Sequence, residues 1–267
     1  MQSRSVFFAL LLASASPAFA EVDDDDLSAI IVTGASHGYT GLDTSTATGA
    51  SFTQGNAIAN STGTNGGAIS LTKLGTGTLV LDKPNTYTGA TNVTGGTLIV
   101  NGSTSTSSAV TVSNTGTLGG TGTVGVTTIQ ATGILAPGDG GIESLNTGAL
   151  TLNVGSFSNF EINATLDTSD LAISSALLAF GGTLNVSNIS GTLVVNDTFN
   201  LFDWSSTSGT FDTINLPALA PGLSWDTGSL YTAGTITVIP EPSSLALIGL
   251  GTLAAVSRRR RITNTTK

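Results

Sequence analysis

One triplet, Gly-Thr-Leu, recurs along this chain at Gly77–Leu79, Gly96–Leu98, Gly116–Leu118, Gly182–Leu184 and Gly191–Leu193. Close variants stand at Gly133-Ile134-Leu135 and Gly148-Ala149-Leu150. From Gly77 to Gly96, Gly116 and Gly133 the steps are 19, 20 and 17 residues. Apolar residues then recur at every second position, as in Leu79/Leu81, Leu98/Val100, Leu150/Leu152 and Leu184/Val186. A period of two puts those side chains on one face of a strand, with Thr and Asn on the other. One such strand cannot bury its apolar face alone, whereas stacked copies share a continuous core. The expected fold is therefore all-β, a parallel β-helix or β-solenoid. At ~20 residues per rung, the body would make on the order of ten rungs. An antiparallel β-sandwich is the alternative that short strands between frequent turns also allow.

Composition supports stacked strands and narrows the partners. Val, Ile, Leu and Thr, separated by Gly, Asn and Ser, favour pleated strands and turns. The chain has no cysteine, so regular hydrogen bonding and core packing must carry its stability. Between Glu21 and Ile239 only Lys73 and Lys83 are basic against 16 acidic residues, a balance of 2 minus 16, or −14. Nucleic acid needs Lys or Arg at its phosphates, so nucleic-acid binding is excluded.

Beyond Thr151 the repeat weakens and large rings gather: Phe157, Phe160, Phe180, Phe199, Phe202, Trp204, Phe211 and Trp225. Rings of this size are expected to cap the end of a solenoid. A sugar-stacking role for Trp204 and Trp225 is the alternative.

Groups suited to catalysis are sparse. His37 is the single histidine and has no partner for a zinc site or a nucleophilic dyad. Glycoside hydrolysis needs two carboxylates across the scissile bond, for which Asp167 with Asp170 and Asp139 with Glu143 are the candidates. The run Leu166–Leu171 reads as a turn between strands, which argues against the first pair. Neither Asp23–Asp26 nor Asp139-Gly140-Gly141 has the alternating ligands of a calcium loop. The expectation is a non-catalytic protein without metal or cofactor, with a polysaccharide-degrading β-helix enzyme as the alternative.

Both ends carry export features. Arg4, the apolar run Val6–Leu12 and the sequence Ala18-Phe19-Ala20 have the layout of a secretory signal peptide, with cleavage by signal peptidase expected after Ala20. At the other end stand Pro240, Glu241 and Pro242, an uncharged stretch from Ser243 to Ser257, and Arg258, Arg259, Arg260 and Arg261. Those 15 uncharged residues span roughly 22 Å as a helix, short of a ~30 Å hydrocarbon core. The arginines should stay cytoplasmic, so the body faces outward. The expected organisation is a signal peptide (1–20), an acidic Gly/Ser/Thr-rich segment (21–66), a repeat solenoid (67–150), its continuation and aromatic cap (151–238), and a sorting segment (239–267).

The order Pro240-Glu241-Pro242, apolar run and arginines resembles the PEP-CTERM sorting signal of exopolysaccharide-producing bacteria. That resemblance implies an exosortase-type membrane transpeptidase acting near Pro240–Pro242, a transient stay in the inner membrane through residues 243–257, and delivery to the cell surface or medium. An ordinary C-terminal tail anchor is the alternative. The segment Gly67–Gly102, with Leu71–Leu79, Asn85–Thr91 and Gly95–Leu98, resembles the autotransporter-associated β-strand repeat, whose passengers are right-handed parallel β-helices. Leu135–Gly138 resembles an element that follows such repeats. No β-barrel translocator sequence follows, so a different export route is expected. Together these resemblances imply a structural protein of the extracellular matrix, in contact with exopolysaccharide or with other copies of itself.

Overall fold

The computed structural model of the protein describes residues 38–43, 51–60 and 67–241. The signal-peptide residues Ala18 and Ala20, the run Asp23–Asp26, His37, Pro242, the apolar stretch and Arg258–Arg261 lie outside the described residues.

Among the described residues the regular structure is all β. One sheet takes β1 (Gly38–Asp43), β3 (Ile69–Leu74), β5 (Thr91–Val93), β7 (Val110–Val112) and β9 (Thr127–Ile129). It continues through the pair β11 (Ser144–Thr147) and β12 (Leu150–Leu152) to β15 (Leu171–Phe180) and β18 (Phe202–Gly209). The second sheet takes β2 (Ser51–Gln54), β4 (Thr78–Leu81), β6 (Thr97–Val100), β8 (Thr117–Gly119) and β10 (Ile134–Leu135). It ends with β13 (Phe157–Asn163), β16 (Thr183–Ser190) and β19 (Thr213–Asn215). Among the described residues the chain thus alternates between two sheets for eight turns, and the strands of successive turns pair parallel within each sheet. This is the stacking expected of a β-solenoid and contradicts the antiparallel sandwich. The two sheets remain separate rather than hydrogen-bonding into a closed barrel.

Register shows where the repeat is regular. In the second sheet, Thr78 pairs in sequence with Thr97, Thr117, Ile134, Phe157, Thr183 and Thr213, steps of 19, 20, 17, 23, 26 and 30 residues. The turns lengthen toward the C-terminus, and the described residues form eight of them, against the roughly ten expected over residues 21–239. Two of the sequence repeats are also out of this register. Leu150 begins β12 in the first sheet, and Gly191–Leu193 follows the end of β16 outside any strand. The spacing of the triplet was local chemistry there, without the same place in the turn.

The core is a set of columns built by this register. Leu79, Leu98, Leu118 and Leu135 stack in the second sheet, continued by Ser158, Leu184 and Ile214. Facing them are Val93, Val112, Ile129 and Leu152 of the first sheet, all essentially buried. Each such side chain stabilises the fold by roughly 1.5–3 kcal/mol. A third, short ladder runs Pro84, Ser103, Thr123 and Asn146. It then merges into the first sheet, because Asn146 pairs with Ile173 of β15 and Ile173 with Asp203 of β18.

The glycines of the triplet do two different jobs. Gly96 and Gly182 take left-handed φ of 58° and 69°, as a tight corner requires. At Gly116 and Gly133 the left-handed residue is instead the preceding Thr115 or Thr132, both at φ 66°. There the glycine is needed because a Cβ would strike the carbonyl oxygen of Val93 or Val112 in the turn below.

The C-terminal end is closed by an antiparallel sheet of β17 (Thr198–Asn200), β21 (Thr235–Pro240) and β20 (Leu223–Asp226). Phe180 is the hub of the packing there, with Phe202, Trp204, Phe211 and Tyr231 in edge contact at 5.1–5.6 Å. The Tyr231 hydroxyl also accepts a 3.0 Å bond from the Phe211 N–H. Trp225 donates from its indole nitrogen to the Pro217 carbonyl at 2.9 Å and lies 6.2 Å from Phe199. Both tryptophans are half-buried in this cap. Their rings therefore serve packing.

Candidate functional site

Two places carry chemistry: the strand from which the sorting segment leaves, and a groove on the outer face of the second sheet.

The first is β21. Its inward side chains Ile236 and Val238 are fully buried, and it lies between β17 and β20. Leu223 pairs with Pro240, the last residue of the strand, and the Glu241 N–H donates to the Gly222 carbonyl at 2.8 Å. Ile239 and Pro240, expected at the start of a separate tail, thus belong to the cap sheet. Glu241 is exposed at its edge. Among the described residues no helix is long and apolar enough to cross a membrane, and the stretch 243–257 lies outside them.

The groove has a volume of about 460 Å³. Its floor is the outward face of the second sheet, from Thr97 and Thr117 to Asn159 and Asn185. One wall is the turn Pro137–Gly141, which folds back so that Gly138 bridges Gly120. The other is made by Glu161 and Asp170, which β14 (Thr168–Ser169) brings together by pairing antiparallel with β13. Asn215, Asn185 and Asn159 are aligned in register, and each amide donates to the next at 2.8 and 2.9 Å.

Asp170 is buried and holds the groove together. Its two carboxylate oxygens accept from the Glu161 N–H at 2.8 Å and the Glu143 N–H at 3.1 Å. Burial pushes its carboxyl up from 3.8 to about 6; the two N–H bonds oppose that shift, and the like charges of Glu161 and Glu143 add to it. Asp167, its expected partner, sits apart on an exposed turn at φ 53°. That pair is therefore not assembled across a cleft. Asp139 and Glu143 meet only through a turn, where Glu143 Oε2 accepts from the Asp139 N–H at 2.8 Å while Asp139 Oδ2 accepts from Asn101 at 2.8 Å. Sequence reasoning missed Glu161, whose outward place follows from the alternation Phe157, Asn159, Glu161 along β13.

A second residue missed was Lys73, fully buried in the interior. Its ammonium donates to the carbonyls of Leu74, Gly75 and Gly95 at 2.6, 3.0 and 3.1 Å, joining two turns at a corner. The signal was present, since Ile69, Leu71 and Lys73 share one face of β3. Asn85 plays a comparable part: it accepts from the Ile58 N–H and donates to the Lys83 and Ser103 carbonyls, linking three turns. No group of three or more acidic or histidine side chains suited to a metal occurs among the described residues.

Comparison with known protein families finds two matches. Residues 71–100 match the passenger-associated-transport-repeat, and residues 238–261 match the PEP-CTERM protein-sorting motif. These are the two segments in which the corresponding resemblances were read. The sorting motif supports export to the cell envelope or surface and implies processing by an exosortase. Its match begins at Val238, inside β21. No curated protein matches the chain.

Proposed function

We propose that this chain is a non-catalytic structural protein of the cell surface or extracellular matrix, a right-handed β-solenoid in contact with exopolysaccharide or with other copies of itself. The observation that carries the reading is the sorting motif, which leaves directly from the strand that closes the cap. Removal of the signal peptide after Ala20 and transpeptidation near Pro240–Pro242 would deliver a stiff rod with its C-terminus at the cap sheet. Rows of outward Thr and Asn, such as Thr72, Asn92, Thr111, Thr128 and Thr151, offer repeated polar contacts along it. The hydrocarbon stretch 243–257 would hold the chain in the inner membrane only until then.

A polysaccharide-degrading enzyme is the competing reading, drawn from Asp170 beside Glu161. Against it stand the exposed, separate Asp167 and the use of both Asp170 oxygens to hold backbone. The test is to express Glu241→Ala/Pro242→Ala in the native host and fractionate the cells. Retention in the membrane fraction is expected, with the wild type outside; unchanged release contradicts the sorting half. Purified wild type should liberate no reducing ends from host polysaccharide, and liberation that Asp170→Asn abolishes would establish the enzyme.

A further inference from the structure

We propose that the groove on the second sheet binds a linear, uncharged, hydroxyl-rich oligosaccharide, an inference that rests on the matrix reading above and gives it a location and a ligand class. The groove crosses β6, β8, β10, β13 and β16, so four inter-strand steps of ~4.8 Å give it a length of roughly 19 Å. That is the footprint of several linked units, longer than a single small molecule.

Its lining fits hydroxyls. Asn159 Nδ2, the Glu161 carboxylate and the hydroxyls of Ser187, Thr97 and Thr117 all line the groove, and none is hydrogen-bonded to another group among the described residues. They supply donors and acceptors on one face, and a carboxylate can accept from two neighbouring hydroxyls at once. Ile99, Ala136 and Pro137 add apolar surface for the C–H faces of sugar rings.

The charge of the lining excludes the acidic alternative. Glu161 and Asp170 are its charged residues, with no Lys or Arg among them, so a uronate or phosphate polymer would meet repulsion and no counter-charge. An extended peptide fits less well, because the floor is the face of a sheet. Its backbone groups are already paired on both sides, leaving no edge for a peptide to extend.

The test uses the full chain purified from its host, titrated by calorimetry with cellotetraose, mannotetraose, tetragalacturonate and an octalysine peptide. At least one neutral tetrasaccharide should bind, and tetragalacturonate should not. Asn159→Ala and Glu161→Gln should each weaken that binding roughly tenfold. Ser187→Trp, which fills the groove, should abolish it, while Ser206→Ala, exposed on β18 of the opposite sheet, should leave it unchanged. Circular dichroism of each variant checks that the fold persists. Silence of both neutral probes to about 10 mM overturns the proposal, as does unchanged affinity in a folded Ser187→Trp or stronger binding of the acidic or basic probe. None of those outcomes touches the surface reading, which fractionation tests independently of the groove.

Discussion

The turns between β3 and β10 and those from β13 onward are built on the same plan with different fillings. In the first group, steps of 17–20 residues bring Leu over Leu and Val over Val, and small corners suffice. In the second, steps of 23–30 residues merge two ladders into the long β15 and β18, and Phe160, Phe180, Phe202 and Phe211 fill the wider interior. A narrow turn is specified by its repeat, because every rung must present the same side chain at the same place. A wide turn is specified by individual rings that meet once. The groove lies across the junction of the two groups, where the turn after β10 folds over the floor and β14 folds back against β13.

The largest effect that could break this contrast comes from the wide end. Phe202→Ala removes a buried ring that touches Phe160, Phe180 and Phe211 and should cost about 4 kcal/mol in chemical unfolding. Because stacked turns depend mainly on their neighbours, hydrogen exchange should quicken first in β13–β21 while β5–β8 stay protected. Uniform loss of protection would show that the two groups are one cooperative unit.

The narrow end has its own keystone. Lys73→Ala strands the carbonyls of Leu74, Gly75 and Gly95 and empties the corner, and a loss of about 3 kcal/mol is expected. Here exchange should quicken first around β3–β6, the mirror image of the Phe202 result.

Ser158 sharpens the comparison from the other side. It interrupts the leucine column where the turns begin to widen, and its buried hydroxyl has no partner among the described residues. Ser158→Ala should therefore raise stability by about 1 kcal/mol, visible as a later denaturation midpoint with an unchanged slope.

The remaining effect concerns pH. Asp170 holds its proton more tightly in the folded chain than in the unfolded one, with its carboxyl raised from 3.8 to about 6. Its contribution is present below about pH 4 and is lost as pH rises to about 6, so stability falls across that window. The wild-type curve minus that of Asp170→Asn should show this slope and flatten above it. A difference rising with pH would contradict the burial argument.

Much of this architecture was legible in the sequence, and the parts that were not have physical causes. Alternation placed Leu79, Leu98 and Leu118 inward and Thr78, Thr97 and Thr117 outward, because a strand has no other way to arrange them. The same alternation held Lys73 inward, but a lysine is ordinarily read as surface unless its carbonyl partners are known. Turn length was hidden after Leu135, since a triplet such as Gly191–Leu193 has the same local chemistry inside a rung or beyond its end. The groove was hidden for a related reason: Asp170 and Glu161 meet through the β14 reversal, and Glu143 joins them from the preceding turn. Pairing by proximity in sequence instead suggested Asp167. The boundary of the sorting segment was obscured because Ile239-Pro240 finishes a strand pattern and begins a motif at once.

The most direct test of the account is the intact mass of the chain recovered from its native host, from the outer fraction and the medium alike. A mass beginning at Glu21 and ending near Pro240–Pro242, with or without an attached group, is the predicted result. A chain that still ends at Lys267 in the membrane would contradict it and make the tail a permanent anchor.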